Sequence, residues 1–425
     1  MAIIPVDAWT QNPSAASGAL NPPLPYTPPQ AGSQESVLVQ FYNSSLVALG
    51  PLQFVTLTAQ LYYNAVGSWS MVVPYSDALW AQMMAGDFIV EVNWRGLFVF
   101  GGKCEQPGYT DSIPGSRSGS GSVNGPFITL SGADYLGLVA NRIAYPNPAV
   151  AWSAQTAGAT DPVSSVRLET AIKHYVNLNL GPGAIAARKN SLLDIVADSS
   201  RGNLVSYTVK FLQDLSLNLM DVIRALIAQA GSAMGVQVYR SGKRLKFDVY
   251  VPRNLSGKAW FSRDLGNLTA VSLSLTDPTL TDSLVRGSST FIQKTATART
   301  VLNAIEAYTD SSGETDANNL NATAQQALAA GGFGPSIDAT VADIPFLTFG
   351  RDYYLGDIVT VEVRPGVTYQ DVISSVTLTA DPSADPVYSV VPSIGNSANA
   401  TATDQKVIGQ LTARIRALEK KLATK

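Results

Sequence analysis

The sequence predicts a β-rich α+β protein: two similar β-regions separated by helical material, with a coiled-coil helix closing the chain. Three observations lead there. Short runs of alternating apolar and polar residues fill the first and last parts, helical spacing takes over in the middle, and heptads occupy the end. Of 425 residues, 46% are hydrophobic but only 14% are charged, against roughly 25% in an ordinary soluble protein. Uncharged polar residues and glycine take the place of the missing charge, as expected of a chain that hides surface in an assembly.

Residues 1–35 carry seven prolines from Pro5 to Pro29, and Asp7 is the only charge among the first 34 residues. Proline fixes φ and removes a backbone donor, so this stretch reads as an extended arm, either without a fixed partner or docked on a neighbour. From Ser36 the pattern turns to β: Val37, Val39 and Phe41 alternate, and Gln53 to Tyr63 adds further strand. Asp77 to Met84 is a short helix capped by Ser76 or Asp77, with Gly86 just past its end. A hairpin follows, with Phe88–Val92 outward, Arg95-Gly96 as the turn and Leu97–Phe100 returning. Ser112 to Pro126, rich in Gly and Ser, reads as a loop, Phe127–Leu130 as a strand and Asp134–Ile143 as a short helix.

In the middle third, Leu168, Ile172, Tyr175 and Val176 share one helix face. Leu192, Leu193 and Ile195 suggest a second helix, and Leu219, Val222, Ile223, Leu226 and Ile227 a third that ends near Gly231. Val236–Tyr239 and Leu245–Val251 form another hairpin. After Asn267 strands return, with Arg299–Tyr308 and Ala322–Ala330 as helices. A last hairpin runs from Gly356-Asp357 through Ile358–Val363, the turn Arg364-Pro365-Gly366 and the return strand Val372–Leu378. This echoes Gly86-Asp87 and its hairpin 270 residues earlier, so the chain reads as two copies of one β-domain. Asp381 to Asp404 reads as a linker. The predicted units are an arm (1–35), a first β-domain (36–150), a mixed helical and hairpin region (151–266), a second β-domain (267–395), and a linker with coiled coil (396–425).

Ile408, Leu411, Ile415, Leu418 and Leu422 follow the 3-4 spacing of a heptad seam. Ile at a with Leu at d favours a dimer. Arg414-Ile415-Arg416-Ala417-Leu418-Glu419, however, matches a pattern associated with short trimeric coiled coils, where Arg414 covers the core and Glu419 pairs with the next helix. A trimer is the preferred reading.

The chain has one Cys and one His, which excludes a disulfide scaffold and zinc sites built from Cys and His clusters. It also removes every His-based catalytic arrangement that does not use His174. His174 lies off its helix's apolar face and reads as a surface or loop-contacting imidazole. Cys104, just after a strand, reads as a small buried or half-buried side chain. Two carboxylates suffice for glycoside hydrolysis, and Asp87, Glu91, Glu105 and Asp111 lie near one hairpin, but no spacing singles out a pair. The loop Asp310 to Asp316 lacks the full calcium-loop pattern and reads as solvated. Gly115, Gly119 and Gly121 do not lead from a strand into a helix as a phosphate loop requires. Trp69, Trp94 and Trp260 read as core side chains. No catalytic residue, metal ligand or cofactor site emerges. The net charge of −3 argues against phosphate-backbone recognition. No apolar run reaches the roughly 18 residues of a membrane span, and no signal peptide is evident.

Several phrases recur in a shared order: Gly67-Ser68-Trp69-Ser70-Met71-Val72-Val73-Pro74, Gly86-Asp87-Phe88-Ile89-Val90-Glu91-Val92, Leu130-Ser131-Gly132-Ala133-Asp134, Phe261-Ser262-Arg263-Asp264-Leu265-Gly266-Asn267-Leu268 and Leu355-Gly356-Asp357-Ile358-Val359. Through these the chain, from residue 36 onward, resembles the baseplate-hub or minor tail proteins of long-tailed phages, especially those of actinobacteria. The resemblance implies a homotrimeric structural virion protein with two tail-tube-like β-domains per chain, assembled in the host cytoplasm. Such a hub closes the tail tube, adapts its six-fold symmetry to a three-fold tip and takes part in DNA ejection. Implied partners are a distal tail protein ring, the tape-measure protein and a central fibre or other tip proteins, with no cofactor. The other functions weighed from the sequence are a tip-associated cell-wall glycosidase and a glycan-binding tip module.

Overall fold

The computed structural model describes residues 36–395 except 85, 106, 112–125, 212–216, 232, 277, 298, 312–313, 332–333 and 383–385. The proline-rich arm, the Gly/Ser-rich segment and the C-terminal heptads, with Ile408, Leu411, Arg414, Ile415, Leu418, Glu419 and Leu422, lie outside the described residues.

The first part of the chain forms β1 (Leu38–Asn43), β2 (Ala48–Leu52), β3 (Thr56–Tyr62), β4 (Ala65–Pro74), α1 (Asp77–Met84), β5 (Phe88–Trp94), β6 (Phe98–Lys103), β7 (Gly108–Asp111) and β8 (Pro126–Ala133). The middle holds α2 (Gly137–Ala140), β9 (Thr160–Arg167), α3 (Leu168–Asn179), β10 (Leu193–Ile195), β11 (Leu204–Lys210), α4 (Leu219–Ala230), β12 (Gly235–Ser241) and β13 (Arg244–Tyr250). The last part holds β14 (Trp260–Phe261), β15 (Leu268–Thr276), β16 (Asp282–Arg286), β17 (Phe291–Thr295), β18 (Glu306–Asp310), α5 (Ala317–Gly331), β19 (Gly334–Val341), β20 (Ile358–Arg364), β21 (Val367–Ala380) and β22 (Tyr388–Gly395).

One large antiparallel sheet runs β15-β19-β22-β21-β3-β4-β8-β7, so strands from both ends of the chain share it. Its two halves have the same topology. In the first the order is β3-β4-β8-β7, with the hairpin β5–β6 following β4. In the second it is β15-β19-β22-β21, with β20 following β19 and pairing the first part of β21. The 14-residue β21 thus occupies the place that β6 and β7 share in the first half. The halves join where β21 pairs β3, with Thr379 opposite Thr58.

A four-stranded sheet, β2-β1-β5-β6, covers the large sheet's inner side. Alternation makes this possible, because every second side chain points to the same face. Val39, Phe41, Val90, Val92 and Phe98 of the smaller sheet share one buried cluster with Leu57, Met71, Ile128, Val376 and Leu378 of the larger. A second core forms around α3 and α4, with β9–β11 and β10-β13-β12 beside them. Asn218 caps α4 by accepting from Met220 N, and Gly231 ends it at φ 58°, a left-handed conformation that glycine adopts without strain.

Four predicted segments differ. Leu193–Ile195 is a strand, parallel to β13; so short an apolar run fits either state, and pairing decides it. Residues 306–310 form β18, parallel to β16, and the predicted helix never starts because Thr300 bonds the Asn303 side chain in a turn. The helix expected over 134–143 reduces to α2. Residues 388–395, placed in a linker, form the central strand β22. Pro392 is tolerated there because β19 pairs β22 only from Ser393 onward, so no second neighbour asks for its missing N–H.

Candidate functional site

The outer face of the large sheet is the feature with the clearest chemical character. Registers set Thr379, Thr58, Ser70 and Ser131 side by side across four strands, and Thr377, Gln60, Ser68 and Ala133 in the next row. Their chain neighbours Leu57, Leu61, Met71, Leu130 and Leu378 point into the core. Apart from Ala133, the residues of these two rows carry hydroxyls or an amide, and none carries a charge. The face is concave over β3, β4 and β8, with a hollow of about 590 Å³. It offers neither the fixed charges that hold a phosphate nor an apolar patch that adheres to another protein. Among the described residues β7 pairs only β8 and β15 pairs only β19, so the sheet has two open edges.

Asp134, at the rim of this hollow, accepts from Gly67 N and Leu136 N at 2.9 Å each. Burial nevertheless raises its carboxyl to about 7. The opposite case lies under α3. Glu169, fully buried, bonds Lys173 Nζ at 2.7 Å and Arg201 Nε at 2.8 Å, and Asp248 stands 3.5 Å from Lys173. Burial alone would raise Glu169, but these partners hold it down at about 2. A group held below its unfolded value of 4.5 stabilises the fold above pH 4.5 and loses that contribution as pH falls towards 2. The loss is on the order of 3 kcal/mol. Asp134, raised from 3.8, does the reverse and costs stability as pH climbs towards 7. Thermal melts across pH should therefore rise from pH 2 to a maximum at about 4, between the two unfolded values, and decline towards neutrality. Glu169→Gln should flatten the acid limb, leaving the smaller part that Asp194 and Asp282, also held down by their partners, contribute.

Three polar ties hold the helical part to the β-sheets. Tyr63 Oη and Asn64 Nδ2 donate to Met234 O at 2.8 Å each, and Val236 N donates to Asn64 Oδ1 at 3.0 Å. Arg240 bonds Glu91 Oε2 at 2.8 Å and Tyr42 Oη at 2.6 Å, while Tyr135 Oη donates to Glu91 at 2.8 Å. Arg253 pairs with Asp357 at 2.6 Å.

The carboxylates near the first hairpin do not converge. Glu91 lines the cleft beside Arg240 and Glu105 lines the sheet hollow, while Asp87 sits on the surface against Lys103 at 3.0 Å. His174 Nε2 lies 3.0 Å from Asp161 Oδ1, a pairing with a strand neighbour rather than a nucleophile. Cys104 is buried. Trp69 and Trp94 are core residues as expected, whereas Trp260 is 37% exposed: β14 has only two residues and its tryptophan faces outward. The acidic loop is not simply solvated, since Glu314 is buried against Lys210 and Asn319, and Asp316 accepts from Thr208. No group of three or more metal-ligating side chains comes together among the described residues. The ties through Asn64, Arg240 and Arg253 escaped the sequence reading because their partners lie 104 to 198 residues away.

The described chain is thus β-rich, with a sheet face dominated by hydroxyl and amide side chains and two open sheet edges. Over residues 38–396 the sequence matches the family described as Siphovirus ReqiPepy6 Gp37-like protein, and the chain belongs to that family. This bears out the resemblance to tail proteins of long-tailed phages, and the role is a structural, tail-associated one. In fold it is similar to the 43 kDa tail protein of prophage MuSo2 from Shewanella oneidensis, with a TM-score of 0.50 at 12% identity, covering 84% of this chain and 98% of that one. A tail protein from Neisseria meningitidis MC58 aligns at a TM-score of 0.47 and 11% identity, covering 84% and 95%. No curated protein sequence matches the chain. No helix among the described residues is long and apolar enough to cross a membrane.

Proposed function

We propose that this chain is the hub of a phage tail tip: a homotrimer that closes the tail tube, meets a six-fold tube with a three-fold tip, and lets tape-measure protein and DNA pass at ejection without making or breaking a bond. The repeated strand order carries this reading. Each half-sheet is one tube-like unit, and within a chain the last strand of one unit, β21, pairs the first strand of the other, β3. The open edges are again a last strand, β7, and a first strand, β15. Repeating the internal joint between chains pairs β7 of one copy with β15 of the next, a head-to-tail contact that closes into a ring. Three chains supply six units, and the heptads with Arg414 and Glu419 set the count at three.

In such a ring the concave faces line the bore. Rows of Ser, Thr and Gln without charge suit a channel that must let polymers slide, since every fixed cation would hold a phosphate. The domain boundaries of the sequence reading follow: 36–150 and 267–395 as the two tube-like units, 151–266 between them, and 396–425 as linker and clamp. The distal tail ring, the tape-measure protein and a central fibre are the partners this position demands, and the virion tail tip is the location.

Light scattering of the full chain should give three times the chain mass, and Ile415→Asp with Leu418→Asp should weaken or abolish it. A monomer at every concentration would overturn the hub.

A further inference from the structure

We propose that the proline-rich arm of this chain folds back into the cleft between the four-stranded sheet and β12 and binds there as a polyproline helix. The cleft, about 300 Å³, has Gln40, Asn93 and Val99 on the sheet side and Tyr239 on the β12 side, with Tyr42 and Tyr135 at its floor. It lies away from the sheet face assigned to the bore, and the inference does not rest on that reading.

Four observations select the arm as the occupant. The first is where the chain enters: the described residues begin at Ser36, and Leu38, an apolar side chain left 51% exposed, lines the cleft itself. The second is reach. Pro22-Pro23-Leu24-Pro25-Tyr26-Thr27-Pro28-Pro29 ends nine residues before Leu38, about 28 Å of chain at about 3.1 Å per residue, enough to turn and return. The third is chemistry. Proline-rich segments are recognised by aromatic-lined grooves with amide or hydroxyl donors for their free carbonyls; half-exposed Tyr239 with Gln40 and Asn93 supplies this, over the buried rings of Tyr42 and Tyr135. The fourth is charge. The cleft's Glu91 and Arg240 already satisfy one another, and residues 8–34 of the arm are uncharged, so neither side is left with an unpaired ion.

β12 pairs only β13 among the described residues, so its other edge borders the cleft without a strand partner. Proline cannot donate a full ladder to such an edge. The arm therefore covers it by packing rather than as an added strand.

The test uses the full chain with Tyr26→p-benzoylphenylalanine, irradiated as an equal mixture of light and heavy isotope-labelled protein. Cross-links within one chain to residues 38–42, 91–99 or 238–240 are expected. The same protein carrying Val99→Arg, checked by thermal melting to be folded, should lose them. Links between light and heavy chains would show that a second copy's arm fills the cleft and overturn the proposal. So would links to any other region, no link at all, or links that persist in the folded Val99→Arg variant. Because the expected links form within a chain, a monomer gives them as well as a trimer, and the hub reading stands or falls separately.

Discussion

Replacing Gly102 by alanine is expected to prevent the chain from folding. A Cβ at this position falls 2.0 Å from Ala133 O and 2.9 Å from Asp134 C, and both obstacles are backbone. Gly101 and Gly132 are equally confined, with added carbons 2.1 Å from Val90 O and from Lys103 O. These three glycines sit where the hairpin β5–β6 crosses onto the large sheet. Here Cys104 bridges Gly132, Glu105 N donates to Ser131 O at 2.9 Å, and Tyr135 N donates to Gly101 O at 3.0 Å. Ordinary overpacking costs about 1–3 kcal/mol because side chains give way. Here nothing can yield but the two strands, so the loss exceeds about 4 kcal/mol, a large share of a typical total of about 5–15 kcal/mol. Gly366→Ala is the control: its φ is +78° but nothing lies within 4 Å of the added carbon, so only backbone strain of about 1–2 kcal/mol applies. Soluble yield and thermal melts compare the two. A Gly102→Ala protein melting as close to wild type as Gly366→Ala would show that the strands do not approach this closely.

Gly101-Gly102 illustrates what the sequence does and does not display. Strands such as β3 and β5 were legible because alternation is local and the buried face is written into every second residue. Helices α1, α3 and α4 were legible from caps and stripes. The joining of both ends of the chain into one sheet was not, because the β21–β3 pairing leaves no periodic mark on either strand. The hydroxyl rows of the outer face were likewise hidden: Thr58, Ser70, Ser131 and Thr379 become a surface only once four registers are fixed. Exposed Trp152, packed on Tyr145 at 5.2 Å and Phe211 at 5.6 Å, went unnoticed because nothing in its own segment separates a surface ring from a buried one. Both Gly-Asp doublets introduce hairpins, β5–β6 and β20–β21, but their chemical roles differ.

That difference sets the second large effect: Asp357→Ala should be severely destabilising and Asp87→Ala nearly silent. Asp87 is an exposed side chain, and its pairing with Lys103 is screened by water. Asp357 is 1% exposed and does four jobs: it accepts from Arg253 N at 2.7 Å and Tyr354 N at 2.9 Å, and its Oδ2 receives Arg253 Nε at 3.0 Å and Nη2 at 2.6 Å. Gly356 beside it is fixed as well, at φ +84° against Tyr63 and Pro252, whereas Gly86 has open space. Burial pushes the Asp357 carboxyl above its ordinary range even though Arg253 pulls it down. The pair is thus a costly one to keep, and its value lies in fixing how the exit from β13 meets β20. Removing one partner leaves Arg253 largely buried without a counter-charge, a loss of about 3–5 kcal/mol. Removing both should cost less, so Asp357→Leu with Arg253→Met is expected to melt above Asp357→Ala. If the double variant melts lower than Asp357→Ala, the pair is a net stabiliser and burial is not the dominant effect on Asp357. If Asp87→Ala falls as far as Asp357→Ala, the two Gly-Asp turns are equivalent in the folded chain, contrary to the burial of one and the exposure of the other.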